Sequence, residues 1–139
     1  MNREEREGRE GEVRRVIEQI GTCVVDSALR VHCALGPGLL ESTYEHCLAY
    51  ELRNAGHSVD CQVTVPIKYR EIRIDSGYRL DMLIDGQVVI ENKATERLLA
   101  IHVAQLLTYL RLTGLKLGFL INWHVPLIRD GLHRYVNNL

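Results

Sequence analysis

The chain has no surplus of either charge: 17 Lys and Arg stand against 18 Asp and Glu, for a formal net charge of −1. That balance excludes a global basic field, so any nucleic-acid partner has to be met by a local patch. No apolar run is long enough to cross a bilayer, and no membrane contact is expected. No signal peptide opens the sequence, so a cytoplasmic location is expected. Cys23, Cys33, Cys47 and Cys61 include no CxxC pair, which removes the close ligand pairs that zinc and iron–sulfur sites use. A reducing cytosol disfavours disulfides, and all four are expected to be small core residues. No internal repeat and no linker divides the 139 residues, which suit one compact domain.

Residues 1–11 are dense in both charges and read as a disordered arm ahead of a single domain over 12–139. Val13, Val16, Ile17, Ile20, Val24, Ala28, Val31 and Leu35 recur at helical spacing until the "GPG" at 36–38 stops them. A second helix is expected from about Leu39 to Ala55, with a stripe through Leu40, Tyr44, Cys47, Leu48, Leu52 and Ala55. Residues 59–69 alternate, Val59 to Tyr69 facing one way, and Pro66 marks an edge or a bulge. Two further strands, Tyr78–Leu83 and Gln87–Ala94, flank a turn at Asp85-Gly86. A third helix over Arg97–Leu112, an apolar strand over 115–123, a second Asp-Gly turn at 130–131 and a closing strand at 132–136 complete the pattern. The order indicates an α/β domain with a mixed sheet and helices on both faces.

Asp81 and Glu91 fall in adjacent strands, and two carboxylates there are costly to bury without a cation between them. Their facing depends on the turn. A two-residue loop sets Asp81 opposite Ile90 and turns Glu91 away. A three-residue loop, Ile84-Asp85-Gly86, sets Asp81 opposite Val89 and puts Asp81, Glu91 and Lys93 on one face. In that arrangement two hard oxygen ligands and the backbone carbonyl of Asn92 suit Mg²⁺ or Mn²⁺. Lys93 could then hold or deprotonate an attacking water, or offset phosphate charge. The bland alternative is a surface ion pair between Glu91 and Lys93.

Taken in order, "GLLESTY" (38–44), "GYRLDMLIDGQVVIENKA" (77–94) and "QLLTY" (105–109) give G-x-x-E-x-x-Y, then Asp followed by Glu-x-Lys, then Q-x-x-x-Y. The set resembles the GxxExxY family of the PD-(D/E)XK nuclease superfamily, near its RecB-like branch, over about residues 13–137. The resemblance implies a restriction-endonuclease-like α-β-β-β-α-β core and metal-dependent cleavage of phosphodiester bonds. By position, Asp81 and Glu91 would bind Mg²⁺ or Mn²⁺, Lys93 would serve the water or the phosphate, and Glu41 would lie beside the metal, directly or through water. Gln105 and Tyr109 would position the active site or the nucleic acid. Leu80 stands where the superfamily's name has proline. Asn92 stands where an apolar residue is usual, so its amide needs partners if its face is buried.

Arg79, Lys68 and Arg70 are candidate phosphate contacts, solvated strand ends being their alternative. His32 and His102 lie near motif helices but read as packed residues. The expected function is a small metal-dependent nuclease, acting on DNA rather than RNA. Its rivals are a nuclease-fold binding or regulatory module with weak turnover, and a subunit that pairs with a partner or with itself as a homodimer through an exposed edge or helix.

Overall fold

A computed structural model describes residues 1–139. Helix α1 (Arg3–Leu35) buries Ile17, Ile20, Val24, Ala28 and Val31, the three-and-four spacing that makes one helical face. Its ends depart from the expected stripe, because Val13 and Leu35 are exposed. The first eleven residues differ too: from Arg3 they are helical and wholly solvated, where a disordered arm was expected. Asn2 caps them by accepting the Glu5 N–H at 2.8 Å, and Glu4 and Glu5 sit at the positive end of the helix dipole. A helix already nucleated by the buried stretch grows outward at one hydrogen bond per residue, with no second nucleation cost.

Helix α2 (Glu41–Asn54) buries Tyr44, Leu48, Ala49 and Leu52. Strands β1 (Val59–Tyr69), β2 (Ile72–Ile84) and β3 (Val88–Lys93) are consecutive and antiparallel. Helix α3 (Ala100–Thr113) crosses over to β4 (Leu117–Asn122), which runs parallel to β3. The short α4 (Ile128–Gly131) occupies the expected Asp130-Gly131 turn, and β5 (Leu132–Val136) closes the edge beside β4. The sheet order is β1-β2-β3-β4-β5, a mixed sheet with α1 and α2 on one face and α3 on the other. This is the restriction-endonuclease-like arrangement expected from the sequence. No helix is long and apolar enough to cross a membrane.

The larger core joins α1 and α2 to Met82, Ile84, Ile90, Phe119 and Trp123. The smaller one sets Leu106 and Leu110 of α3 over Leu80, Val89 and Leu120. Gly118 is needed there, since a Cβ on it would lie 2.9 Å from the Leu106 side chain. The inward stripe of α3 is therefore Leu106 and Leu110; of the face that the sequence pattern singles out (Ile101, Ala104, Gln105, Thr108, Tyr109 and Leu112), Thr108 and Tyr109 are half-buried and the rest are exposed. Both rows have helical spacing, and only the sheet decides which one is buried. The cysteines are free thiols; Cys23, Cys47 and Cys61 are half-buried and pack against the larger core, while Cys33 is exposed and is not the core residue expected. At position 33 the 3.6-residue period has carried the helix face outward, two residues past buried Val31.

Residues 72–77, to which the sequence reading assigns no element, extend β2 into a long ribbon with β1. The register shifts between Val65 and Ile67, beside Pro66, so the expected bulge is present. Since β3 pairs with β2 only at Met82–Ile84, the distal halves of β1 and β2 pair only with each other.

Candidate active site

The site depends on the turn between β2 and β3. Ile84 pairs with Val88 and Met82 with Ile90, so the loop is the three residues Asp85, Gly86 and Gln87. Its parity is odd, as function requires, but it lies one residue later than Ile84–Gly86. Continuing the register places Asp81 level with Glu91, where Val89 was expected. Asp85 and Gly86 both take the left-handed backbone (φ 51° and 64°), which Asp and Gly tolerate best. A side-chain clamp fixes the turn. The Asp85 carboxylate accepts the Ser58 N–H at 2.8 Å and meets His57 Nδ1 at 2.6 Å. Burial alone would raise the Asp85 carboxyl, but the hydrogen bonds from His57 and Ser58 outweigh it and hold it below its usual range.

At the Asp81/Glu91 row the regular ladder gives way to reciprocal side-chain bonds. The Asn92 N–H donates to Asp81 Oδ2 at 2.9 Å, and the Asp81 N–H donates to Glu91 Oε1 at 3.3 Å. Each carboxylate thus reaches across to the other strand. Glu91 is only 7% exposed. Burial, and then the neighbouring Asp81 charge, pushes its carboxyl up to about 9. Lys93 lies two residues on, half-buried on the same face of β3. Its charge opposes the rise at both Glu91 and Glu41.

Glu41 opens α2 because the G-x-x-E-x-x-Y segment is locally tied. Gly38 takes φ 103°, and the buried Tyr44 hydroxyl donates to the Gly36 carbonyl while accepting the Leu39 N–H. Tyr44 also stacks on Trp123 at 4.9 Å. Partial burial and Asp81 raise the Glu41 carboxyl, which places it in the field of the pair. Tyr109, stacked on Tyr78 at 4.7 Å, has its hydroxyl raised by burial and then by Glu91 and Asp81, so it borders the same site. The buried Tyr78 hydroxyl has no hydrogen-bond partner. Gln105 shares the helix face of Tyr109 but is exposed, and it bonds no site residue. Arg79 lies near Glu45, whereas Lys68 and Arg70 belong to the distal ribbon, Arg70 over the Tyr69 ring.

Two neighbours were not found from sequence. Glu45 follows Glu41 by one turn, and burial raises it while the Gln62 amide donates to it at 2.9 Å. The four-residue spacing from Glu41 was the available signal. Gln62 carried none, because its distinction is a left-handed backbone, φ 56°, inside β1. The register places it opposite Asp81. At that row both strands swap faces: Cys61 and Met82 pack against the larger core, Val63 and Leu80 against the smaller.

Asn92 is fully buried and finds partners on its reverse face. Its Nδ2 donates to Met82 Sδ at 3.1 Å, and its Oδ1 accepts the Trp123 Nε1–H at 2.9 Å. The histidines are structural, as expected. His32 bonds the Val125 carbonyl, and His102 Nδ1 accepts the Leu99 N–H at the start of α3.

Adjacent carboxylates, one of them buried and pushed up by burial and by the charge of the other, fit a hard divalent cation. No three His, Cys, Asp or Glu side chains converge closely enough to hold a metal by themselves. Asp81 and Glu91 are the adjacent pair that could serve such a cation, with water completing the shell as Mg²⁺ prefers. Over residues 18–135 the chain matches the PD-(D/E)XK nuclease superfamily, whose nucleases generally use divalent metals. No curated protein and no solved structure matches it. With the match covering most of its length and the fold agreeing, the chain belongs to the PD-(D/E)XK nuclease superfamily.

Proposed function

We propose that the protein is a nuclease of the GxxExxY type, near the RecB-like branch, hydrolysing phosphodiester bonds of DNA in preference to RNA with Mg²⁺ or Mn²⁺. One observation carries the reading: the odd loop at Asp85–Gln87 brings Asp81 level with Glu91, on the face that Lys93 shares. Asp81, Glu91 and the Asn92 carbonyl would hold the cation, with Glu41 acting through water. When bound, the cation lowers the cost of negative charge on the phosphate and favours ionisation of a nearby water. Lys93 holds the attacking water and offsets charge on the pentavalent phosphorus. In-line attack forms the new P–O bond as the bond to the leaving nucleotide breaks. Tyr109 and Gln105 position the substrate from α3, and Arg79, Lys68 and Arg70 contact its phosphates.

Purified protein incubated with single- and double-stranded DNA and RNA, in Mg²⁺, Mn²⁺ or EDTA, tests this. Asp81→Ala and Lys93→Ala should each lower cleavage by at least about a hundredfold. Equal trace cleavage by wild type and both variants would sink the reading. A second reading, a nucleic-acid-binding module with weak turnover, is favoured by the convergence of only two carboxylates. Binding without metal-dependent cleavage would mark it. A homodimer through the outward apolar face of α3 (Ile101, Leu112) is also proposed, and solution mass measures it. The proposed compartment is the reducing cytoplasm, where the free thiols persist.

A further inference from the structure

Lys93 is the last residue of β3, and residues 94–99 that follow it form no helix or strand. A side chain at a strand end is aimed only as well as the backbone on both sides of it is held. Lys93 is level with Asn122 of β4, and its carbonyl accepts the Trp123 N–H at 2.9 Å. Beyond that point the ladder stops and the Asn122 side chain continues it. Its Nδ2 donates to the Thr95 carbonyl at 2.9 Å, and its Oδ1 accepts the Thr95 N–H at 3.2 Å. These two are the only hydrogen bonds from residues 94–98 to the rest of the molecule. Leu98 adds an apolar contact with the smaller core.

Asn122 is itself firmly seated. It is buried, and a Cβ on Gly131 would overlap its carbonyl oxygen, so α4 lies directly against its backbone. Its Oδ1 also accepts the His124 N–H at 3.2 Å. The next residue, Trp123, is stacked on Tyr44, and His32 Nε2 bonds the Val125 carbonyl at 2.9 Å. Packing does not call for an amide at 122, since an apolar side chain would continue the buried run Leu117–Ile121. A buried amide is costly unless its bonds are made, and here they are made chiefly to the loop behind Lys93.

We propose that Asn122 is a positioning residue that carries the order of β4 across to the loop at 94–98 and so keeps Lys93 aimed along the Glu91 face. The inference rests on the nuclease reading and adds how its lysine is held. Turning the chain between Lys93 and Thr95, which would swing the ammonium off that face, breaks both Asn122 bonds and the Trp123 bond together.

Two variants of the full chain test this from opposite sides. Asn122→Leu nearly keeps the volume and removes both bonds, while Thr95→Pro removes the loop donor and leaves β4 intact. If the leucine variant melts early, the proline variant carries the test. With labelled single- and double-stranded DNA in Mg²⁺, each should lower kcat by about ten- to a hundredfold and leave KM within about twofold. Calorimetric Mn²⁺ affinity should stay within about twofold of wild type, because Asp81 and Glu91 lie upstream of the tether. Amide exchange should quicken at 94–96 while 117–121 stay protected. In a Lys93→Ala background, Asn122→Leu should cost less than about twofold more, since the group it aims is gone. Equal losses with and without Lys93, unchanged exchange at 94–96, or Mn²⁺ affinity lost along with activity would each overturn the proposal. Cleavage by wild type and undiminished cleavage by both variants would remove this inference alone. No cleavage by wild type in any metal would remove the nuclease reading and this inference with it.

Discussion

Gln62 shows at the scale of one residue how the site is held. A left-handed backbone costs a side chain other than glycine about 1–2 kcal/mol, and here that cost sits opposite Asp81. Gln62→Gly should leave thermal stability equal or raise it by up to about 1 kcal/mol, while cleavage falls because the strand and Glu45 are no longer tied together. Calorimetry beside a cleavage assay checks both halves, and a parallel loss of stability and activity would disprove the positioning role. Asn92 is a second such residue. Asn92→Leu removes the acceptor of the buried Trp123 Nε1–H, and a donor so stranded costs about 1–3 kcal/mol in urea unfolding. The sequence already named Asn92 as a residue in need of partners. It could not name Trp123 as the one supplying them, since thirty-one positions separate the two.

At the scale of elements, the odd parity of the β2–β3 loop decides whether Asp81 and Glu91 meet. The sequence left that parity open between a two- and a three-residue loop. What settles it is a contact from outside the hairpin, the grip of His57 and Ser58 on Asp85. Asp85→Ala should therefore lower cleavage through loosened register although residue 85 touches no reacting group. Amide exchange at 84–88 should quicken with it, and protection equal to wild type would refute the clamp. Because the Asp85 carboxyl is held below its ordinary value of 3.8, its contribution to stability is present above that pH and fades as acid titrates the folded group. The middles of the α1 and α2 stripes were legible because each is one face of one element, although Leu40 and Ala55 at the ends of the α2 stripe are exposed. The single facing expected of Val59 to Tyr69 was not, because the left-handed backbone at Gln62 turns Val63 and Val65 to the face opposite Val59 and Cys61. The inward face of α3 was not, because two apolar rows compete and only the sheet chooses. The helical form of 3–11 was hidden for a related reason: composition reports what a segment can do alone, not what it does as the continuation of a folded helix. If residues 12–139 are the autonomous unit, a chain lacking 1–11 should melt within about 1 kcal/mol of the full chain, since the solvated turns bury no apolar side chain.

The whole molecule should feel pH through its carboxylate cluster. Glu91 is raised to about 9 from an ordinary value of 4.5, so between those limits the folded protein keeps a proton that the unfolded chain has released. The associated stability is fully present below 4.5 and is lost as pH climbs toward 9, the direction also set by Glu41 and Glu45. The metal-free melting temperature should thus fall between about pH 5 and 9, and Mg²⁺ or Mn²⁺ should restore it more strongly at the alkaline end. Glu91→Gln should flatten the profile and abolish the metal response, and a metal effect independent of pH would contradict the coupling. Trp123 offers a way to watch this happen. It is the only tryptophan of the chain, hydrogen-bonded to the residue between Glu91 and Lys93 and stacked on the tyrosine of the helix that carries Glu41. If the carboxylate pair takes up Mg²⁺ or Mn²⁺ as proposed, Trp123 emission should change on titration with the ion, in unlabelled protein and before any substrate is added.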